Sequence, residues 1–245
     1  MRGHKDQPPL TKQGIMVQNN NQQVSVLFML FSILFCVCLI AANLFATKQI
    51  ALGNISVTGG LLIFPVSYIV NDCVCEVWGY NRMRLLIWTG FAMNFFFVMM
   101  GALCDWIPAA PYYTNEAGFH GVFGLAPRVA VASFLAFIVG SFMNAYVMSR
   151  MKLASKGAHF SYRAIASTIV GETADSLIFF PLALGGIVPA DALVELILWQ
   201  VVLKTLYEIV VLPATIHVVG LLKKHEQTDT YDEGISYNVF NLKHI

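Results

Sequence analysis

The amino-acid sequence predicts an all-α integral membrane protein with six transmembrane helices and both termini in the cytoplasm. Hydrophobic residues make up 57% of the 245 residues and charged residues 12%, against about 25% charged residues in soluble domains. Six apolar runs are long enough to cross a bilayer, and lysine and arginine concentrate in every second connection between them. This composition excludes a soluble domain and a disordered chain. The net charge of +1 gives no argument for nucleic acid as a partner.

The chain opens with a polar segment, residues 1–23, which contains two prolines and an Asn/Gln run and is predicted to be a disordered tail. The first apolar run, Val24 to Thr47, follows it. A helix of that length measures about 36 Å, enough to cross a bilayer core of about 30 Å with some tilt. The run exceeds the apolar core of a signal peptide, about 7–15 residues, so we predict that it is the first transmembrane helix.

Five further helices complete the predicted transmembrane domain, residues 24–222. Their approximate limits are 59–80, 84–103, 128–149, 164–188 and 192–222. Pro65, Pro181 and Pro213 fall inside three of these runs, where a proline kinks or ends a helix and neighbouring helices must satisfy the freed carbonyl groups. Residues 223–245 form the predicted cytoplasmic C-terminal tail.

Basic residues set the predicted orientation. Twelve of the 15 lysines and arginines fall in the two tails, between helices two and three, or between helices four and five. Lys48 and Arg128 fall on the other side, and Lys204 lies inside helix six. Because basic connections stay in the cytoplasm, we expect both termini there.

One long outer connection runs from Cys104 to Pro127. Its aromatic residues are Trp106, Tyr112, Tyr113, Phe119 and Phe123. Such residues are typical of an interfacial aromatic belt, and a gate over an outer entrance is the alternative.

The five cysteines do not indicate a disulfide framework, because their number is odd and four lie in apolar runs. The two C-x-C pairs begin at Cys36 and Cys73. Residues two apart on a helix point to different faces, which disfavours a thiolate metal site. We therefore predict packing or lipid-facing cysteines, no metal site and no cofactor.

Six ionisable residues fall inside the predicted helices, where each costs about 2.5–3.5 kcal/mol at a helix centre. They are Asp72, Glu76, Glu172, Asp175, Lys204 and Glu208. They form three pairs spaced three or four residues apart, so each pair occupies one face of its helix, and all fall in the middle third of the bilayer. The set contains five acids and only one lysine. Most of the acids must therefore be protonated, hydrated or bound to a ligand with hydrogen-bond donors. We expect a binding or conduction site.

Structural alternatives stay open for these residues. Lys204 could pair with Glu208 along its own helix, or with Asp72 for assembly alone. Neutral polar groups are added to helices one, three, four and six by Asn43, Asn94, Asn144 and Gln200. A single Asn in a membrane helix more often joins helices than binds a ligand.

A weak internal repeat suggests two inverted three-helix halves. Asn43 precedes Asp72 by 29 residues, and Asn144 precedes Glu172 by 28 residues. Three-helix halves of opposite topology are a common transporter plan.

Carboxylates suit ligands that carry several N–H donors or a cationic amine. The edge of a guanine-like base presents an N–H beside an NH2 group, which one carboxylate can accept together. An Asn or Gln could donate to the ring carbonyl, and a Phe or Tyr could stack on the ring. A polyamine or a proton path would suit the same residues, so this chemistry leaves the ligand open.

Four stretches of the sequence resemble the queuosine precursor transporter family, also called the vitamin uptake transporter family. They are SYIVNDCVCEVWGYNRMRLLIWTGF (67–91), APRVAVASFLAFIVG (126–140), STIVGETADSLIFFP (167–181) and LKTLYEIVVLP (203–213). The motif residues are Asp72, Glu76, Gly79 and Tyr80, then Gly171 to Ser176, then Lys204, Glu208 and Pro213. The similarity covers about residues 26–222, and Cys73 to Cys75 depart from the usual pattern.

The resemblance implies a six-helix importer of a 7-deazaguanine base in a bacterial inner membrane. The base would be 7-cyano-7-deazaguanine, 7-aminomethyl-7-deazaguanine or queuine, which serve the queuosine modification of tRNA. The acids derived from hydropathy and spacing fall on the family's motif positions.

The expected substrate-binding residues combine these acids with polar and aromatic side chains of neighbouring helices. They are Asn43, Asp72, Glu76, Asn144, Glu172, Asp175, Phe179, Gln200, Lys204 and Glu208. Glu172 or Asp175 is expected to accept from the N–H edge of the base, an amide side chain to read its carbonyl, and Phe179 or Tyr68 to stack on its ring. The first acid pair is expected to hold an aminomethyl group or a coupling proton, oriented by the pair in helix six.

Two other function classes are weighed against transport. An intramembrane enzyme would need a nucleophile–base pair, two aligned aspartates or an H-E-x-x-H helix, and the six histidines lie mostly in loops and tails. We therefore predict that the chain is not an enzyme. A substrate-binding subunit of a multi-component, ATP-driven importer stays an alternative, because the chain itself has no ATP-binding motif. A homodimer is an open alternative that no residue argues for.

Overall fold

The computed structural model describes residues 24–46, 48–52, 55–124, 127–186 and 189–241. The predicted tail at 1–23 lies outside the described residues. Within these ranges the regular elements are α1 (Val26–Ala46), β1 (Gln49–Leu52), β2 (Ile55–Thr58), a 3-10 helix (Gly59–Leu62), α2 (Phe64–Trp106), α3 (Glu116–Phe123), α4 (Pro127–Ala154), α5 (Phe160–Leu184) and α6 (Ala190–Glu226).

A short β-hairpin departs from the all-α prediction. β1 and β2 pair antiparallel, with Gln49 opposite Thr58 and Leu52 opposite Ile55. β-branched residues such as Ile55 and Thr58 favour strand over helix. The hairpin occupies the connection after α1, which the hydropathy pattern left unassigned.

Five helical stretches are long and apolar enough to cross a membrane within the described ranges. They are Val26–Phe45, Gly59–Trp106, Val131–Ala154, Phe160–Ala183 and Leu193–Glu226. Their surfaces expose large apolar side chains such as Phe96, Val202 and Val210, while carboxylates and amines are buried inside. Helices of this length with apolar outer surfaces and polar side chains turned inward suit a lipid environment. The chain is therefore a multi-pass membrane protein.

Helix α2 is long enough for two crossings. Its 43 residues measure about 64 Å, twice a bilayer core of about 30 Å. The helical geometry breaks at Gly79, which has φ of 84° and ψ of 172°. We call the segment before the break α2a (64–78) and the segment after it α2b (80–106).

Segment α2a runs in the same direction as α4. The Asn71 side-chain amide donates to the Ser141 carbonyl at 3.1 Å. Further along both helices, the Lys152 ammonium donates to the Glu76 carbonyl at 2.5 Å. Residue numbers therefore rise together along the two helices.

Segment α2b runs against α4. The Trp88 ring lies 5.9 Å from the Phe142 ring, and the Phe95 ring lies 5.6 Å from the Phe134 ring. Because numbers rise in α2b as they fall in α4, the chain reverses at Gly79. The predicted second and third helices are thus joined by a break at one glycine, and not by the short loop that the sequence suggested at 81–83.

Replacing Gly79 with alanine is expected to destabilise the protein. A β-carbon there would lie 2.8 Å from both Asp232 Oδ1 and Thr230 Cγ2, and positive φ itself costs an L residue about 1–2 kcal/mol. The thermal unfolding midpoint of detergent-purified protein should fall by about 4 °C or more. Gly220→Ala is the matched control, because its β-carbon would meet nothing within 4 Å and alanine favours a helix. An equal fall in both variants would contradict this role of Gly79.

The two ends of the bundle differ in charge. One end, where α1 begins, α2 turns and α6 finishes, carries most of the described basic side chains, and we call it the basic end. They are Arg82, Arg84, Arg150, Lys152, Lys156, Arg163, Lys223 and Lys224. This separation matches the distribution on which the orientation prediction depends.

The opposite end carries the hairpin and α3. The Phe123 ring packs 4.6 Å from the Phe119 ring and 5.9 Å from the Phe97 ring, which ties α3 to α2b. Trp106 and Tyr112 are exposed by 80% and 87%. An aromatic belt and a gate both stay predictions for this segment.

Candidate functional site

Ten polar side chains are buried where α2a, α4, α5 and α6 meet, and we call this set the polar core. It consists of Tyr68, Asp72, Asn144, Ser167, Thr168, Glu172, Asp175, Ser176, Lys204 and Glu208. Each residue exposes 8% or less of its surface. Polar groups held this far from water need hydrogen-bond partners or a ligand.

Helical spacing places these side chains on the inner faces of their helices. Thr168, Glu172 and Asp175 follow one another at four and three residues along α5, so they share one face. Lys204 and Glu208 are spaced by four on α6. All five of these side chains are buried, as expected for residues on the inner faces of their helices.

Lys204 joins α6 to α5 by ion pairs. Its ammonium lies 2.6 Å from Glu172 Oε2 and 3.7 Å from Asp175 Oδ2. The same ammonium lies 4.2 Å from the centre of the Phe64 ring, in a cation–π contact. The intrahelical pair with Glu208 was an alternative, but the ion pairs described for Lys204 lead across to α5.

Asp72 is bound from two other helices. Its Oδ1 accepts from the Asn144 amide at 2.9 Å and from the Ser167 hydroxyl at 3.2 Å. The Glu208 carboxyl lies next to the Asp72 carboxyl and the Thr168 hydroxyl. Asp72 thus connects α2a with α4, α5 and α6.

Side-chain atoms without a hydrogen-bond partner concentrate in and beside the polar core. Among the described residues, nine buried side-chain oxygen or nitrogen atoms lack a partner. Eight of them belong here: Tyr68 OH, Asp72 Oδ2, Asn144 Oδ1, Thr168 Oγ1, Glu172 Oε1, Ser176 Oγ, Thr205 Oγ1 and Glu208 Oε2. Each unsatisfied group costs about 1–3 kcal/mol, so their concentration at one place indicates a binding site for a polar ligand.

Two glycines bring α4 and α5 close together beside the polar core. A β-carbon at Gly140 would lie 2.5 Å from the Tyr68 hydroxyl and 2.9 Å from Asp175 Cβ. One at Gly171 would lie 2.7 Å from Tyr68 Cε1 and 2.9 Å from Asn144 Cβ. The missing side chains therefore allow Tyr68 to lie against the acids.

Glu76 lies outside the polar core, contrary to the expectation of one six-residue cluster. Arg163 binds both carboxylate oxygens, at 2.5 and 3.1 Å. Lys223 binds Oε1 at 2.6 Å, and Lys152 lies 3.8 Å from it. Glu76 is thus neutralised at the basic end, and the polar core retains four acids and one lysine.

The C-terminal tail contributes to this basic end, a role that the sequence did not suggest. Asp229 accepts from Lys152 at 2.5 Å and lies 3.0 Å from Lys223. Burial acts to raise the pKa of the Asp229 carboxyl, but the hydrogen bonds and charges of the two lysines overcome it, so that pKa lies below its ordinary value. Asp229 is therefore a carboxylate that ties the tail to Lys152 and Lys223.

Asp232 caps the start of α2b. Both of its carboxylate oxygens accept from the Tyr80 amide, at 3.1 and 3.0 Å, and it also accepts from the Ser149 hydroxyl. This amide needs a partner because a helix start has no preceding turn to supply one. Burial raises the pKa of the Asp232 carboxyl, and the two hydrogen bonds oppose that rise.

Three other predicted site residues have no described contact with the polar core. Asn43 donates to Asn94 at 2.8 Å and accepts from Ser133 at 3.3 Å, joining α1, α2b and α4. Gln200 lies one turn before Lys204, and Phe179 one turn after Asp175; both are half-buried. By spacing they share the faces of the polar core, but no described contact connects them to it.

The sequence reasoning missed three contributors. Phe64 carries the aromatic contact to Lys204, and Ser167 and Thr168 lie beside Asp72 and Glu208. A signal was available for Phe64, because it precedes Tyr68 by four residues on the same helix face. The hydroxyls directly precede the G-E-x-x-D-S motif, one turn before its acids.

Replacing Asn144 and Asn43 with leucine is expected to have unequal effects on stability. Asn144→Leu removes a donor from the buried Asp72 carboxylate and should lower the free energy of unfolding by about 1.5–3 kcal/mol, the usual worth of a hydrogen bond to a charged group. Asn43→Leu removes hydrogen bonds with Asn94 and Ser133, each typically worth about 0.6 kcal/mol in a membrane, so the loss should be smaller. The thermal unfolding midpoint in detergent is the measurement, and a larger fall in Asn43→Leu would contradict this assignment.

Comparison with known proteins points to membrane transport. A family model described as "Putative vitamin uptake transporter" matches residues 58–218. The chain is 29% identical over 177 residues to a probable queuosine precursor transporter of Bacillus subtilis (strain 168), covering 71% of this chain and 76% of that protein. It is 25% identical over 172 residues to a queuosine precursor transporter of Escherichia coli (strain K12), covering 68% and 72%. No solved structure matches.

Proposed function

Because the chain belongs to the putative vitamin uptake transporter family, we propose that it imports a 7-deazaguanine precursor of queuosine across a bacterial inner membrane. The candidate substrates are 7-cyano-7-deazaguanine, 7-aminomethyl-7-deazaguanine and queuine. The observation that carries the proposal is the polar core, where carboxylate and hydroxyl oxygens without hydrogen-bond partners are buried inside an apolar bundle. Both relatives are described as queuosine precursor transporters, one of them as probable, which supports the substrate class.

Six crossings with cytoplasmic termini are part of this proposal. The reversal at Gly79 supports two crossings within the stretch Gly59–Trp106, in addition to the other four stretches. An even number returns the C-terminus to the side of the N-terminus. The basic end would then face the cytoplasm, and two inverted three-helix halves would fit the same count.

Glu172 and Asp175 are the proposed acceptors for the base. Glu172 uses Oε2 for Lys204 and has Oε1 without a partner, so Oε1 can accept from the N–H and NH2 edge of a guanine-like ring. The Ser176 hydroxyl lies next to Asp175 in sequence and also lacks a partner. It can donate to a ring carbonyl.

Aromatic side chains on α2a and α5 are proposed to stack on the ring. The Phe64 and Tyr68 rings lie 5.6 Å apart, and Phe64 already covers the Lys204 ammonium. Phe179 follows Asp175 by one turn and is the alternative on α5. A planar heterocycle between such faces would bury its apolar surface while its edge bonds to the acids.

Ligand binding to the detergent-purified protein tests the substrate class. The four bases to compare are 7-cyano-7-deazaguanine, 7-aminomethyl-7-deazaguanine, queuine and guanine, by calorimetry and by thermal stabilisation. We expect a deazaguanine to raise the unfolding midpoint, and Glu172→Gln and Asp175→Asn each to abolish the rise. Glu195→Gln is the control, because it makes the same chemical change on an exposed carboxylate of α6.

The outcomes separate the parts of the proposal. No response to any base would contradict the substrate class. A response that survives in Asp175→Asn would remove Asp175 from the site. Binding without uptake by the purified chain alone would favour the alternative of a substrate-binding subunit in a larger importer.

A further inference from the structure

Asp72 and Glu208 form a carboxyl pair that the proposed substrate contacts leave unused. They come from α2a and α6 and expose 1% and 2% of their surfaces. Their carboxyl groups are neighbours, and Asp72 Oδ2 and Glu208 Oε2 are both buried without a hydrogen-bond partner among the described residues. The donors that serve Asp72, from Asn144 and Ser167, both bind its other oxygen.

The groups around this pair do not supply a cation for it. The surrounding titratable groups are Tyr68, Cys73, Cys75 and Glu76 on α2a, Glu172 and Asp175 on α5, and Lys204 on α6. From α4, the described neighbour is the uncharged Asn144. Lys204 is paired with both acids of α5, and Glu76 is held by Arg163 and Lys223.

Two neighbouring carboxyl groups in such surroundings favour holding one proton between them. Like charges that lie side by side away from water disfavour ionisation of both groups, as in other paired-carboxyl sites. A proton on one of the acids also supplies a donor where Asp72 Oδ2 and Glu208 Oε2 have none. The pair therefore has the chemistry of a site that binds and releases a single proton.

We propose that Asp72 and Glu208 form a proton-binding site that couples uptake of the base to a transmembrane proton gradient. This inference rests on the proposed function. The proton binds from water on the outer side and returns to water on the inner side, and no covalent bond of the base changes. Glu208 lies one turn from Lys204 on α6, so one movement of α6 would displace both the proton site and the lysine that holds the substrate acids.

The test is accumulation of 7-cyano-7-deazaguanine in proteoliposomes of the purified protein. The membrane potential is clamped at zero with potassium and valinomycin, and the lumen is made one pH unit more alkaline than the medium. If one proton accompanies each base, the ratio of internal to external base should reach about tenfold, since one pH unit is equivalent to about 1.4 kcal/mol. Without the gradient the ratio should be 1.

The wild-type outcomes distinguish the two proposals. Equilibration to a ratio of 1 under both conditions would overturn the proton inference and leave import of the base standing. No uptake under either condition would overturn both. Accumulation of the base that depends on the pH gradient would support both proposals. The variants would then test whether Asp72 and Glu208 bind the proton.

The variants locate the proton site. Asp72→Asn and Glu208→Gln should equilibrate the base to a ratio near 1 even with the gradient, whereas Glu208→Asp, which keeps a carboxyl group, and the control Glu195→Gln should still accumulate it. An undiminished ratio in both amide variants would overturn the assignment. If the amide variants do not insert, infrared difference spectra of wild type and Glu208→Asp replace them. A protonated carboxyl C=O stretch that shifts between these proteins supports the site, and an unshifted one overturns it.

Discussion

Lys204→Met is expected to abolish uptake and to lower the free energy of unfolding by about 3–5 kcal/mol, the usual effect of removing one partner from a buried ion pair. Lys204 is the cation 2.6 Å from Glu172 and 3.7 Å from Asp175. Both acids are buried, so its loss would leave their negative charge uncompensated in the bundle. The proposed binding face for the base would be distorted as well, because Phe64 loses its cation–π contact.

A double variant shows whether unpaired charge is the cause. Lys204→Met combined with Glu172→Gln removes one acid together with the lysine, so it should be more stable than Lys204→Met alone, although still inactive. The thermal midpoint in detergent is the measurement. Lys224→Met, on the exposed surface of α6, should leave both stability and uptake unchanged. A double variant that is less stable than the single one would contradict the explanation.

Arg163→Met is expected to have a comparable effect on stability, also about 3–5 kcal/mol, through a different network. Its guanidinium holds both oxygens of Glu76 and also donates to the carbonyls of Ala158 and Gly157. Arg163 is 1% exposed. Methionine would leave Glu76 with Lys223 at 2.6 Å and Lys152 at 3.8 Å, both of them at Oε1, so that Oε2 loses its cation.

The matched variants for this prediction are Arg163→Lys and Arg150→Met. Lysine retains the positive charge but cannot bind both oxygens at once, so we expect an intermediate loss. Arg150 is exposed, and its replacement should change the unfolding midpoint by less than about 2 °C. A lysine variant as stable as wild type would show that charge alone matters at this position.

The buried charges therefore divide into two groups with different chemistry. At the basic end, Glu76 is surrounded by Arg163, Lys223 and Lys152, and the tail residue Asp229 binds two of them. This network is saturated with partners. The polar core is the opposite, with acids in excess and several atoms without partners, which is why the binding proposal is placed there and not at Glu76.

Much of the site could be predicted from the sequence because helical spacing is a local property. Asp72, Glu172, Asp175, Lys204 and Glu208 were identified from apolar runs and intervals of three or four residues, and the structure buries all five together. Glu76 follows Asp72 by four residues, a spacing like that within the other pairs, but it is bound at the basic end and lies outside the polar core. Its neighbours at the basic end come from connections that a one-dimensional pattern assigns to the surface.

The limits of the helices were likewise predicted only in part from the sequence. The apolar runs predicted four of the membrane stretches closely, but the second and third appear as one stretch, Gly59–Trp106, that breaks at Gly79. Hydropathy could not identify that turn, because it depends on a glycine with positive φ against the side chains of Thr230 and Asp232. The β-hairpin at 49–58 was missed because a short strand gives no hydropathy signal beside a membrane helix.

The sequence by itself determined that this is a multi-pass membrane protein of a transporter family with acids inside its helices. Composition, the length of apolar runs and the helical period are properties of the local sequence, so they can be determined without knowing the fold. Only the tertiary structure decided which charges meet: Lys204 pairs with Glu172 32 residues away, and Asp232 caps Tyr80 from 152 residues away. Such partners depend on how the helices pack, and packing is a property of the whole chain.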